Sequence, residues 1–118
     1  MTRTSLKTAI EAADHPILLE NTAQLAVAEK SWKGNKVLGI DTEFVRERTY
    51  RARLGLVQVS DGETAWLVDP VRLSDLAPLR RMLTDPSITK VLHSSSEDLE
   101  VLWHTLDAVP TPMIDTQP

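Results

Sequence analysis

From residue 37 onward the hydrophobic period of this chain first changes near residue 74, and that change limits the architectures open to it. Before it, apolar residues follow the short period of extended backbone in three runs, Val37–Phe44, Leu54–Ser60 and Thr64–Val68. Asp61-Gly62 between the second and third is a hairpin signal, and Pro70 closes the third. After it, Leu76, Leu79, Met82 and Leu83 share one helical face in a segment that starts at Ser74-Asp75 and stops at Asp85-Pro86. Ile88–His93 is again strand-like. Ser94–Leu106 then places Leu99, Leu102, Trp103 and Leu106 at helical spacing, and Met113-Ile114 begins a further strand. Upstream, residues 1–15 show no pattern and read as a loose leader, and Pro16–Asn21 reads as extended. A helix capped by Asn21 or Thr22 carries Leu25, Ala28 and Trp32 as far as Gly34-Asn35. A β-meander followed by α, β, α and β predicts an α/β fold, a mixed sheet with helices on its faces. The Ile88–His93 strand arrives by a helical crossover, so it is expected parallel to its neighbour.

At 118 residues there is room for one domain with a real core. Hydrophobic residues at 42% and charged residues at 25% exclude a disordered chain. A net charge of −4 argues against a protein that coats polyanions nonspecifically, but not against an enzyme whose acids hold metal. The absence of cysteine removes disulfides and thiolate ligands, and no apolar run is long enough for a signal peptide or a bilayer span. A cytoplasmic protein without membrane contact is the resulting expectation.

The chemistry concentrates in Leu38-Gly39-Ile40-Asp41-Thr42-Glu43-Phe44. Alternation puts Asp41 and Glu43 on one face, about 6.6–7 Å apart along the backbone. Leu38, Ile40, Thr42 and Phe44 take the other face. A solvated strand edge accounts easily for one acid there. Two like charges oppose strand formation unless something offsets them, and a divalent cation with its preference for several hard oxygen ligands does so. A second cluster, Ser94-Ser95-Ser96-Glu97-Asp98, has capping-box spacing, which by itself only starts a helix. Relative to Leu99, Leu102 and Leu106, Asp98 lies beside the apolar stripe while Glu97 falls toward solvent. Asp98 is therefore the better site candidate and Glu97 the better cap. Three convergent acids make a partial set for a two-metal phosphoryl-transfer site.

The stretches DTEF, VRERTY, LGLVQVSDG, LVDP, DPSITKVLHSSSEDLEVL and MIDTQ, in that order from about Pro16 to Gln117, resemble ribonuclease D. That family belongs to the DEDD superfamily of 3′–5′ exonucleases, with an RNase H-like fold. The resemblance implies that Asp41 and Glu43 form the first metal-binding motif and Asp98 the second. It implies two divalent cations, Mg2+ or Mn2+, and hydrolysis of RNA 3′ ends, tRNA precursors among them, to nucleoside monophosphates. The family's third motif, a tyrosine and a last aspartate on a later helix, has no match here. The one tyrosine, Tyr50, lies between the first two motifs, and Asp115 matches a recurrent aspartate of the IDTQ stretch. Residues 16–118 are thus expected to form a partial exonuclease domain without C-terminal helical domains. It would be weakly active or inactive alone, and prone to self-association through an uncovered apolar face.

Substrate contacts are expected from Thr42, Phe44, Gln58, His93, Arg46, Arg48 and Tyr50. The arginines flank Tyr50 in a loop that can hold phosphates and stack a base, although a solvated basic loop has the same composition. Gln58 interrupts an apolar strand, as a pocket residue or a hydrogen-bonded core residue would. His93 reads more simply as structural, and Trp32, Trp66 and Trp103 as packing residues. Rival readings are a nucleic-acid-binding module without catalysis, a DNA 3′–5′ exonuclease and a metal-binding regulatory domain. Cleavage assays on matched RNA and DNA separate them.

Overall fold

The computed structural model describes residues 15–46, 52–92 and 96–115, and for 44–46, 52–54, 96–98 and 101 the backbone alone. Its elements are β1 (Ile17–Leu19), α1 (Thr22–Lys33), β2 (Val37–Arg46), β3 (Ala52–Ser60), β4 (Ala65–Val68), α2 (Ala77–Thr84), β5 (Thr89–Leu92), α3 (Ser96–Leu106) and β6 (Met113–Asp115). The six strands form one sheet in the order β1-β4-β3-β2-β5-β6. β2, β3 and β4 make the antiparallel meander, while β1 joins β4, β5 joins β2 and β6 joins β5 in parallel. The period change near residue 74 marks where the hairpins of β2, β3 and β4 give way again to crossover connections, the first of which, β1-α1-β2, precedes them.

Local chemistry sets the boundaries. Asn21 caps α1, its side chain accepting from the Gln24 amide at 2.9 Å, and Gln24 Oε1 accepts from the Glu20 amide at 2.7 Å. Asp61 Oδ1 accepts from the amides of Glu63 and Thr64, and Gly62 takes φ +93°, which closes the β3–β4 turn. α2 starts later than the Ser74-Asp75 signal: Leu76 is its N-cap, without a side-chain bond, and Pro78 lies in its first turn. Asp75 instead accepts from the Ala77 amide at 2.9 Å.

All three described crossovers, β1-α1-β2, β4-α2-β5 and β5-α3-β6, run across the sheet in one direction. Right-handed connections of that kind place their helices on one face. The burial pattern agrees. Leu19, Trp66, Val57, Leu38, Ile40 and Leu92 are buried with Leu25 and Trp32 of α1, Leu79 and Leu83 of α2, and Leu102 and Leu106 of α3. Trp32 and Trp66 meet edge to face, their ring centroids 6.0 Å apart. On the opposite face Leu18, Val37 and Ile114 are 41%, 53% and 54% exposed. Among the described residues that face is open, a narrower arrangement than helices on both faces.

Two buried charges tie the helical layer together. Glu29 of α1 accepts from Arg81 of α2 through two bonds, at 2.7 and 2.9 Å. Lys90 of β5 has no exposed surface, and burial lowers its pKa from the ordinary lysine value while nearby Asp85 pulls it back. Trp103 departs from the expected packing role: it is 53% exposed, its ring 5.1 Å from that of His104. On α3 the buried stripe of Leu102 and Leu106 is narrow, and Trp103 falls on its flank.

Candidate active site

β2 presents its two acids as the alternation requires. Leu38 and Ile40 are buried on the helical side, Thr42 is half-buried on that same side, and Asp41 and Glu43 are exposed on the open face. Asp41 Oδ1 accepts from the Thr42 amide at 3.0 Å. No ion pair reaches Asp41 or Glu43 among the described residues. Alternation ends at the second acid. Glu43 pairs with Leu56 and Phe44 with Leu54, so Gly55 is an extra residue on β3, a bulge of the kind that re-aims side chains beside functional sites.

Gln58 lies directly across from Asp41 on β3, and Ser60 across from Gly39. Together with Val91 and the backbone of Ile40 and Leu92 they line a depression of about 460 Å³ on the open face. Gln58 thus lines this depression. Ser60, Gly39 and Val91 are lining residues that sequence reasoning missed. Ser60 was findable as the next same-face residue after Gln58. Gly39 and Val91 become neighbours only through the parallel pairing of β2 with β5, which no local pattern encodes.

β5 ends at Leu92, in register with Ile40, one residue before Asp41. The depression thus opens where β5 ends beside the middle of β2, and the carboxyl end of a parallel strand is the usual place for a ligand in an open α/β sheet. The chain re-enters helix at Ser96, and α3 lies against β3. This puts the backbone of Asp98, in the first turn of α3, at the same end of the sheet as Asp41; its side chain lies outside the described residues. So do the side chains of Phe44 and Arg46, and the residues Arg48, Tyr50 and His93 altogether. The Ser94–Glu97 and Ser95–Asp98 capping alternatives fall there too.

Two adjacent carboxylates, free of cationic partners among the described residues, fit a hard divalent cation, whose ligands are carboxylate and water oxygens. Among the described residues no group of three potential ligands is assembled, so the described part of such a site is the β2 pair.

A six-stranded mixed sheet with crossover helices, carrying exposed acids on its central strand beside the end of a parallel neighbour, defines an RNase H-like α/β domain. The chain belongs to the 3′–5′ exonuclease family, whose profile matches residues 16–118. Within it the chain is similar to ribonuclease D. It is 54% identical to ribonuclease D of Escherichia coli over 80 residues, 68% of this chain and 21% of that protein. It is 45% identical to ribonuclease D of Cronobacter turicensis over 101 residues, 86% of this chain and 27% of that one. The crystal structure of Escherichia coli RNase D, described as an exoribonuclease involved in structured RNA processing, superposes with a TM-score of 0.80. Identity is 43%, over 86% of this chain and 27% of that one. Trypanosoma brucei RNase D in complex with RNA U12 shares the fold, with a TM-score of 0.77 and 21% identity over 95% of this chain and 41% of that one. The chain spans about a quarter of the length of the curated relatives it matches.

Proposed function

We propose that this chain contributes the metal-binding strand and helix of a 3′–5′ exoribonuclease acting on RNA 3′ ends, tRNA precursors among them, in the cytoplasm. The observation that carries the reading is the β2 acid pair: Asp41 and Glu43 exposed on one face, free of ion pairs among the described residues, in a chain of the 3′–5′ exonuclease family. Asp41, Glu43 and Asp98 would hold two divalent cations, Mg2+ or Mn2+, which supply Lewis acidity and relieve the repulsion between the carboxylates. Gln58, across from Asp41, offers an amide that donates to a phosphate or ribose oxygen and accepts from a hydroxyl. Phe44, Arg46, Arg48, Tyr50 and His93 complete the proposed substrate contacts, with Thr42 contributing through its main chain, since its side chain lies on the helical side. The arginines take the backbone phosphates and Tyr50 a base. Water forms the new bond to phosphorus, the bond from phosphorus to the 3′ oxygen breaks, and a proton passes to that oxygen, releasing a nucleoside monophosphate.

The domain extends over residues 16–118 in this reading, with residues 1–15 as a leader. The family's tyrosine and last aspartate have no match in the sequence, so the 118 residues by themselves cleave weakly or not at all. The test is a 3′-labelled RNA incubated with the chain and Mn2+ or Mg2+, beside a DNA of the same sequence. The expected result is metal binding with slow release of the labelled 3′ nucleotide, stronger on RNA and lost in Asp41→Ala. Internal cuts, or cleavage that persists in Asp41→Ala, overturn the reading. Rapid turnover by the wild-type chain overturns the claim of weakness, and preference for DNA assigns the DNA exonuclease alternative. We also infer that the open sheet face, with Leu18, Val37 and Ile114, draws copies of the chain together.

A further inference from the structure

Lys90 is fully buried in β5, yet among the described residues no carboxylate neutralises it through a direct bond. Its three N–H donors go to three main-chain carbonyls: Asp85 at 2.7 Å, Ile88 at 2.6 Å and Thr111 at 2.9 Å. The carboxylate of Asp85 is turned to Ser87 instead, accepting from its amide at 2.9 Å and its hydroxyl at 2.7 Å. An ammonium group has three donors, so this one is saturated, and the carbonyls surround it as they would a small monovalent cation. The partners come from two separate places in the chain. Asp85 and Ile88 precede β5, and Thr111 follows α3 on the way into β6. Two backbone bonds close the same seam, from Lys90 N to Pro112 O at 3.0 Å and from Thr111 N to Leu83 O at 2.9 Å.

We propose that Lys90 is a positioning residue. Its ammonium acts as an internal cation that closes the base of the β5-α3-β6 unit and so fixes α3, the helix on which Asp98 stands, against the sheet. The clamp and the depression beside Asp41 lie at opposite ends of β5, so Lys90 itself touches neither substrate nor metal. Only the last link, that α3 must be fixed for metal binding, rests on the proposed function. Lys90→Met keeps the length of the side chain and removes its donors, leaving three carbonyls, that of Ile88 in a buried bond, with one fewer partner each. Lys90→Ala empties the cage.

The experiment is amide hydrogen exchange resolved by segment on the 118-residue chain, with Mn2+ titration alongside. In Lys90→Met, exchange in α3 and in 107–115 should rise by at least about tenfold, as loss of bonds to a charged group implies, while α1 and β3 keep wild-type protection. Mn2+ affinity should fall with it. In Lys90→Ala, n-propylammonium, the fragment removed beyond Cβ, should restore protection of 107–115 and n-propanol, similar in shape but uncharged, should not. The proposal is overturned by wild-type exchange in Lys90→Met, by an equal rise in every element, by equal rescue with the alcohol, or by failure of both variants to fold. Wild-type Mn2+ affinity in a variant with loosened α3 overturns the positioning role. Absence of Mn2+ binding in the wild-type chain counts against the proposed site alone, since the exchange data decide the clamp.

Discussion

Asp41 and Glu43 show how one residue can work against the element that holds it. In the proposed site both would favour a bound cation, while both oppose the strand through like charge. Asp41→Asn should therefore weaken Mn2+ binding by at least about 100-fold, more than the loss of an outer-shell partner costs. Thermal unfolding without metal should show the same variant unchanged or more stable by up to about 0.5 kcal/mol. Glu29 is the opposite case, a charge whose effect is structural. The hydrogen bond from Arg81, then the charges of Arg81 and Lys33, hold its carboxyl below the ordinary 4.5 against the opposing effect of burial. A depressed carboxyl pKa means that the folded chain binds fewer protons than the unfolded one. The stabilisation is complete above pH 4.5 and disappears as pH falls through the lower folded value. Urea midpoints measured from pH 7 downward should drop below pH 4.5, and Glu29→Gln should start lower and flatten that drop. Asp41 and Glu43 were legible in the sequence because strand alternation alone puts them on one face. Glu29 was not, since its partner Arg81 lies 52 positions away.

Elements were legible wherever the chain carries its own punctuation. Asn21 and Gln24 start α1, Asp61-Gly62 turns β3 into β4, and Asp85-Pro86 ends α2. Asn21→Ala removes a cap that the structure uses and should cost about 1 kcal/mol, read as a lower thermal midpoint. Where side chains find other partners, local signals mislead. Asp75 looks like a cap for α2 but stands one residue before its N-cap, Leu76, and Trp103 keeps the helical spacing of a core residue yet stands outside. Its position on the flank of α3 faces no neighbouring element among those described, and spacing on one helix cannot reveal what stands opposite it. The bulge at Gly55 was equally silent, because it depends on how β3 meets β2.

At the scale of the whole molecule, the decisive feature is that burial is one-sided among the described residues. Leu79 has no exposed surface on the helical side, and Leu79→Ala should cost about 2–5 kcal/mol in denaturant unfolding, a large part of the stability of a domain this size. On the open side, Ile114→Asp should leave the circular dichroism spectrum intact and shift sedimentation toward the monomer; an unchanged distribution would rule out this face as the contact. The sequence by itself determined the order of elements, the α/β class and the shared face of Asp41 and Glu43, since each follows from periods and turns within a few residues. Tertiary structure decided which strands became neighbours, and so placed Gln58, Ser60 and Val91 around Asp41, one face open, and Lys90 in its cage of carbonyls. Those outcomes depend on pairing and packing between distant segments, where the free energy of burial is shared among residues that no local pattern connects.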